Sequence, residues 1–161
     1  MFGKFQPDDI PGVDAPGVKA NRPEDQRGSV RVEKSERTLA TYDRLGQTVV
    51  ATVAVGSLSG PDAQELSAEL CARMFLLNKD EAGQTLVRHV VLDFQNVQYI
   101  DSMCIGVLVE LLGKLQESGG RIALVNTEHN LECLFKLTRL DRVFPMCRDV
   151  MKAIEVVERA G

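Results

Sequence analysis

The chain alternates short β-branched or continuous apolar runs with longer segments of helical periodicity. In Thr48-Val-Val-Ala-Thr-Val-Ala-Val55, residues Val49, Ala51, Val53 and Val55 fall on one face at period two, which predicts a strand. A weaker strand over about residues 38–44 precedes it, across the turn at Leu45-Gly46-Gln47. Gly60-Pro61-Asp62 then reads as a helix start, with Pro at the first helical position and an acid in the first turn. Ala63, Leu66, Leu70, Met74 and Leu77 follow at three- and four-residue steps, one apolar stripe of a helix that the polar stretch 78–85 ends. His89-Val-Val-Leu-Asp-Phe94 is almost unbroken apolar sequence, as a central strand covered on both faces requires.

Asp101-Ser102 opens a second helix, whose Cys104, Ile105, Leu108, Leu111, Leu112 and Leu115 face inward and which Gly119-Gly120 closes. Arg121-Ile-Ala-Leu-Val125 is a further buried strand. Thr127 or Asn130 caps a third helix carrying Leu131, Leu134, Phe135 and Leu137. Val143-Phe-Pro-Met146 suits a short edge strand, where proline is tolerated, and a last helix runs from Asp149 through Val150, Ile154 and Val157. The order β-β-α-β-α-β-α-(β)-α predicts an α/β domain: a mixed, mostly parallel sheet of four to five strands packed with about four helices. In such folds the informative positions lie at the carboxyl ends of strands and the amino ends of the helices that follow. Residues 93–106 are that region.

Composition then divides the chain. No Leu occurs before Leu39, and four of the six prolines (Pro7, Pro11, Pro16, Pro23) lie in the first 23 residues. With seven basic and seven acidic side chains and few large apolar groups, residues 1–37 cannot offset their ordering entropy and read as a flexible arm. Residues 38–161 are left to form a single domain. A net charge of −4 with 5% aromatics and no Trp argues against a nucleic-acid binder, which needs a basic face and stacking rings. No run approaches the roughly 18 consecutive apolar residues of a membrane span, and MFGKFQPDDIPG lacks the apolar core of a secretory signal. Cys71, Cys104, Cys133 and Cys147 form no close pair and each lies in an apolar segment. That pattern predicts reduced, buried thiols in a cytoplasmic protein. His89 and His129 are isolated, so no metal site is expected, and no Walker or Rossmann glycine motif asks for a nucleotide cofactor.

The Asp-Ser turn is the chemical candidate. Asp101 is placed as an N-cap, accepting from the free amides two or three residues on. Ser102 then occupies the first turn with its hydroxyl near the surface. A phosphate there would sit in the favourable field of a helix amino terminus while repelling the Asp101 carboxylate.

The stretch Val90-Val-Leu-Asp-Phe-Gln-Asn-Val-Gln-Tyr-Ile-Asp-Ser-Met-Cys-Ile-Gly-Val-Leu108 resembles the signature of STAS domains, the anti-sigma factor antagonist family. That signature is a hydrophobic strand ending in Asp, a short connector, an aromatic-aliphatic pair, then Asp-Ser and a helix rich in Leu and Val. The resemblance extends from about residue 40 to 158, taking in the Gly56–Leu66 passage, the Gly119-to-Val125 strand entry and the Leu131–Leu140 helix. It implies a regulatory binding module rather than an enzyme, with no cofactor. In bacterial members the matching serine is phosphorylated by a partner that is both serine kinase and anti-sigma factor. The unphosphorylated form binds that partner and frees the sigma factor, and a PP2C-like phosphatase resets the switch. Carried over, Ser102 is the phosphoacceptor and Asp101 its polar neighbour. Met103 and the loop holding Ser57, Ser59 and Gly60 would add to the partner surface.

The sequence departs from the family at Met103-Cys104, where members commonly have Ser, Thr or Ala followed by Gly. That departure keeps a second function open: a scaffold or sensor subunit of a signalling complex that self-associates as a homodimer without phosphotransfer. Other readings fit less well. Asp93 at a strand end is the position of a receiver-domain phosphoacceptor, but the segment Gly56-Ser-Leu-Ser-Gly60 lacks the acid pair that would hold a divalent cation, so Asp93 reads as a loop cap. A thiol in the first turn of a helix can have a lowered pKa, yet Cys104 shares the stripe of Leu108 and Leu111 and so points into the core. A hydrolase reading of Ser102 fails for want of a Gly-x-Ser-x-Gly elbow.

Overall fold

The computed structural model describes residues 38–79 and 86–159. The arm expected over residues 1–37 and most of the polar stretch after the first helix lie outside the described residues.

Strands β1 (Ala40–Leu45) and β2 (Thr48–Val53) form an antiparallel hairpin in which Leu45 pairs with Thr48. The turn needs Gly46, whose φ of +62° lies in the left-handed region that side chains disfavour. Parallel strands β4 (His89–Asp93), β6 (Ile122–Val125) and β7 (Met146–Cys147) extend the sheet in the order β1-β2-β4-β6-β7. Its crossovers are helices α1 (Gly60–Lys79), α2 (Ser102–Gln116) and α3 (His129–Leu137), and α4 (Val150–Arg159) is the last described element. The expected mixed, mostly parallel sheet is therefore present, with five strands and four helices among the described residues.

Strand alternation sorts the side chains into two layers. Val49, Ala51, Val53, Val90, Leu92, Ile122 and Leu124 pack beneath α1, α2 and α3 in the larger core. Val50, Val91, Ala123 and Val125 point the other way, onto Ala153 and Val157 of α4. Every residue of β4 is buried, which is why this strand reads as a continuous apolar run rather than an alternation. The sequence stripe of α1 is correct: Ala63, Leu66, Leu70 and Met74 are buried, and Leu77 packs against the same core.

Three local expectations are corrected. The third helix is capped by Glu128, whose carboxylate accepts the Asn130 N–H at 2.9 Å; Asn130 lies inside the helix, and the buried Oγ of Thr127 has no hydrogen-bond partner among the described residues. The edge strand is Met146–Cys147 and not Val143–Met146. A 3₁₀ turn over Leu140–Arg142 takes up the chain after α3 and drops Phe144 into the core, edge-on to Phe135 at 6.0 Å between ring centres. Of the four cysteines only Cys104 is buried; Cys71, Cys133 and Cys147 are half-buried.

Candidate functional site

Two further strands, of two residues each, have no counterpart in the sequence pattern: β3 (Ser57–Leu58) and β5 (Tyr99–Ile100). They pair in parallel, Ser57 with Tyr99 and Leu58 with Ile100, and form a separate ribbon. The Gly56 carbonyl strengthens it by accepting from Gln98 N–H at 2.7 Å and Tyr99 N–H at 3.2 Å. Leu58 and Ile100 anchor the ribbon in the main core. Its consequence is that two strand-to-helix passages run side by side. Ser57-Leu58-Ser59-Gly60 leads into α1, and Tyr99-Ile100-Asp101-Ser102 leads into α2.

Each passage carries its own cap. Ser59 Oγ accepts the Asp62 N–H at 3.3 Å, and its carbonyl accepts the Ala63 N–H at 2.8 Å. Asp101, with extended backbone, accepts the Cys104 N–H on Oδ1 at 2.7 Å. Its other oxygen reaches the neighbouring helix and accepts the Gly60 N–H at 3.1 Å. One carboxylate thus holds an amide from the first turn of both helices, where it also offsets the positive ends of both dipoles.

The six residues singled out in the sequence share this end of the molecule. Ser102 and Met103 are exposed, Asp101 and Ser59 are half-buried, Ser57 is exposed and Gly60 is buried. Met103 is 58% exposed, yet it lies over Gly60 so closely that a Cβ there would overlap it. Gly60 is required by this approach rather than by its backbone angles. Tyr99, 62% exposed and paired with Ser57, joins the same surface. In the sequence it is only half of an aromatic-aliphatic pair, and the ribbon alone brings it beside the α1 passage.

Burial pushes the Cys104 thiol up to about 12, with the Asp101 and Asp62 carboxylates adding to the effect, so the thiol is neutral and faces inward. Asp93 is the loop cap expected of it: Oδ1 accepts from Gln95 N–H and Asn126 Nδ2–H, both at 3.0 Å. No group of three or more His, Cys, Asp or Glu among the described residues could hold a metal ion. No described helix is long and apolar enough to cross a membrane.

The STAS domain family model matches residues 32–153. A candidate anti-sigma factor antagonist of Thermotoga maritima is 36% identical over 70 residues, covering 44% of this chain and 62% of that protein. The chain therefore matches less than two thirds of that relative's length. A crystal structure of a candidate anti-sigma factor antagonist from Thermotoga maritima superimposes with a TM-score of 0.60 at 26% identity, over 74% of this chain and 95% of that one. Bacillus SpoIIAA in its phosphorylated form shares the fold, with a TM-score of 0.53 at 18% identity over 76% of this chain and 99% of that one.

Proposed function

The chain belongs to the STAS domain family, and from that premise we propose that it works as an anti-sigma factor antagonist switched at Ser102. In this reading the unphosphorylated chain binds an anti-sigma factor with serine-kinase activity and so frees a sigma factor. Phosphorylation of Ser102 by that partner ends the complex, and a PP2C-like phosphatase restores it. The observation that carries the reading is the placement of Ser102. It is the first residue of α2, exposed, directly after a capping Asp101, within the segment that matches the family.

The physical basis of the switch is local. A phosphoryl group adds a charge of about −1.5 to −2 next to the Asp101 carboxylate, on a surface where the exposed Met103 and Tyr99 offer apolar contact. A partner fitted to a neutral hydroxyl and two apolar side chains is repelled without any refolding of the domain. Met103-Cys104 favours a second reading, a phosphorylation-silent scaffold that self-associates: Met103 stands exposed beside the hydroxyl that a kinase must reach.

The test is phosphopeptide mapping of the protein from its own cells, with and without stress, together with binding of variants to the kinase partner. Ser102→Ala is expected to hold the partner and Ser102→Asp to weaken it at least tenfold. Equal affinity of the two variants, or no phosphate on Ser102 in any condition, overturns the switch in favour of the scaffold.

A further inference from the structure

The two hydrogen bonds that Asp101 accepts, one from each helix start, offer a route by which a charge on Ser102 would be felt beyond its own helix. We propose that Asp101 is a positioning residue that couples the charge state of Ser102 to the start of the neighbouring helix, through the amide of Gly60. The inference rests on Ser102 as the modified residue and concerns what the modification does to this chain.

The Asp101 carboxylate is shared between Cys104 N–H on Oδ1 and Gly60 N–H on Oδ2. The two bonds differ in character. The first is local, within the turn that Asp101 caps, at 2.7 Å; the second spans 41 residues of sequence at 3.1 Å. A dianionic group on the adjacent Ser102 acts on both. It repels the carboxylate next to it, and it is drawn to the same first-turn amides of α2 that Asp101 now caps. A carboxylate displaced in this way gives up the longer bond across the gap before the shorter one within its own turn.

Releasing Gly60 has a structural consequence because of what lies on it. The Gly60 backbone is packed beneath the Met103 side chain, and Ser59 caps the same turn of α1. Loss of the Asp101 tether frees the α1 start to move relative to α2, and Met103 loses its seat. The phosphate would then be reported at two places, the hydroxyl itself and the Ser57–Gly60 passage, where Ser57 and the neighbouring Met103 are exposed. Asp101 touches neither a substrate nor a reacting atom; its role is to carry the repulsion from one helix start to the other.

The test uses the full chain with phosphoserine installed at position 102 during translation, so that no kinase is needed, and amide hydrogen exchange read by NMR. Phosphoserine is expected to speed exchange of the Gly60 amide about tenfold relative to the unmodified chain, as loss of one charge-assisted bond implies. Raised salt should shrink the difference. In an Asp101→Asn background, which keeps an acceptor but removes the charge, the modified and unmodified chains should exchange at Gly60 within about twofold of each other. A merely structural role for Asp101 would lower stability in that variant without abolishing the response. Unchanged Gly60 exchange in the chain that keeps Asp101, or an equal response in the Asp101→Asn chain, overturns the coupling. A response at Gly60 in a protein that never carries phosphate in cells would uphold the coupling and refute the proposed switch, so the two fail separately.

Discussion

Met103 occupies the space above Gly60 that any other residue at position 60 would need, with its own Cβ 2.7 Å from where a Cβ on Gly60 would stand. Gly60→Ala should therefore cost about 1–3 kcal/mol through overpacking, measured as a lower denaturation midpoint with an unchanged slope. The double variant Gly60→Ala/Met103→Gly should recover most of that loss and Gly60→Ala/Met103→Ala only part of it, since alanine at position 103 keeps the Cβ that stands 2.7 Å from the new one. A Gly60→Ala protein as stable as the parent would show that Met103 is seated elsewhere in solution.

Cys104 makes a contrast with the three half-exposed cysteines. Its thiol is fully buried and pushed up to about 12. At pH 7 the thiolate fraction is then on the order of one part in 10⁵. Titration of the native chain with a disulfide reagent should modify Cys71, Cys133 and Cys147 first and leave Cys104 untouched until the domain unfolds. Rapid labelling of Cys104 in the folded protein would revive a redox reading of this turn.

Much of the fold is legible in the sequence because the buried strands and amphipathic helices depend on periodicities that packing enforces. Val49, Ala51 and Val53 sit on one face of the sheet, and in α2 Cys104, Leu108, Leu111, Leu112 and Leu115 are buried as their spacing predicts, with Ile105 half-buried against the same core. The Asp101 cap is legible for the same kind of reason, since a helix start must satisfy its free amides locally. Features set by contacts distant in sequence are not. The β3–β5 ribbon rests on two residues per strand, too few for any pattern, and the Asp101–Gly60 bond joins positions 41 apart. The third cap escapes the sequence because Thr127, Glu128 and Asn130 are all chemically able to cap. The choice is made by where the chain leaves β6, at Asn126 with φ +56°.

His89 gives the fold a pH dependence on the acid side. It is 3% exposed at the start of β4, and its Nδ1 accepts the Arg121 N–H at 3.1 Å, which requires the neutral ring. Burial lowers its pKa; Glu158 opposes this, while Arg88 and Arg121 reinforce it. An imidazole whose folded pKa lies below its unfolded value of about 6.5 contributes stability that is complete above that value. The contribution is lost as pH falls from there towards the folded pKa, because the unfolded chain takes up the proton first. Melting temperature should therefore fall as pH is lowered from neutral to about 5, and His89→Asn should flatten that slope. An equal slope in the variant would assign the loss to other groups.

Glu158, at the end of α4, closes the opposite end of the sheet from Ser102 and should be the strongest single polar contributor there. Its Oε2 accepts the Thr48 hydroxyl at 2.8 Å and the Gln47 N–H at 3.1 Å, fastening the β1–β2 turn to the last helix. Thr48 is fully buried, so Glu158→Ala strands a hydroxyl where water cannot reach it. That loss should cost about 2–3 kcal/mol, the range for a charged acceptor. Thr48→Val removes the hydroxyl while keeping its volume, and should cost no more than about 1 kcal/mol. Combining the two changes should cost less than the sum, since Glu158→Ala no longer orphans a hydroxyl once Thr48→Val has removed it. Glu158 is also the one neighbour that raises the pKa of His89. Glu158→Ala should therefore move that pKa further down, so that acid-induced loss of stability extends to lower pH than in the parent. NMR titration of His89 in the two proteins checks this directly: a pKa unchanged by removal of Glu158 would leave burial and the two arginines as the whole cause of its shift.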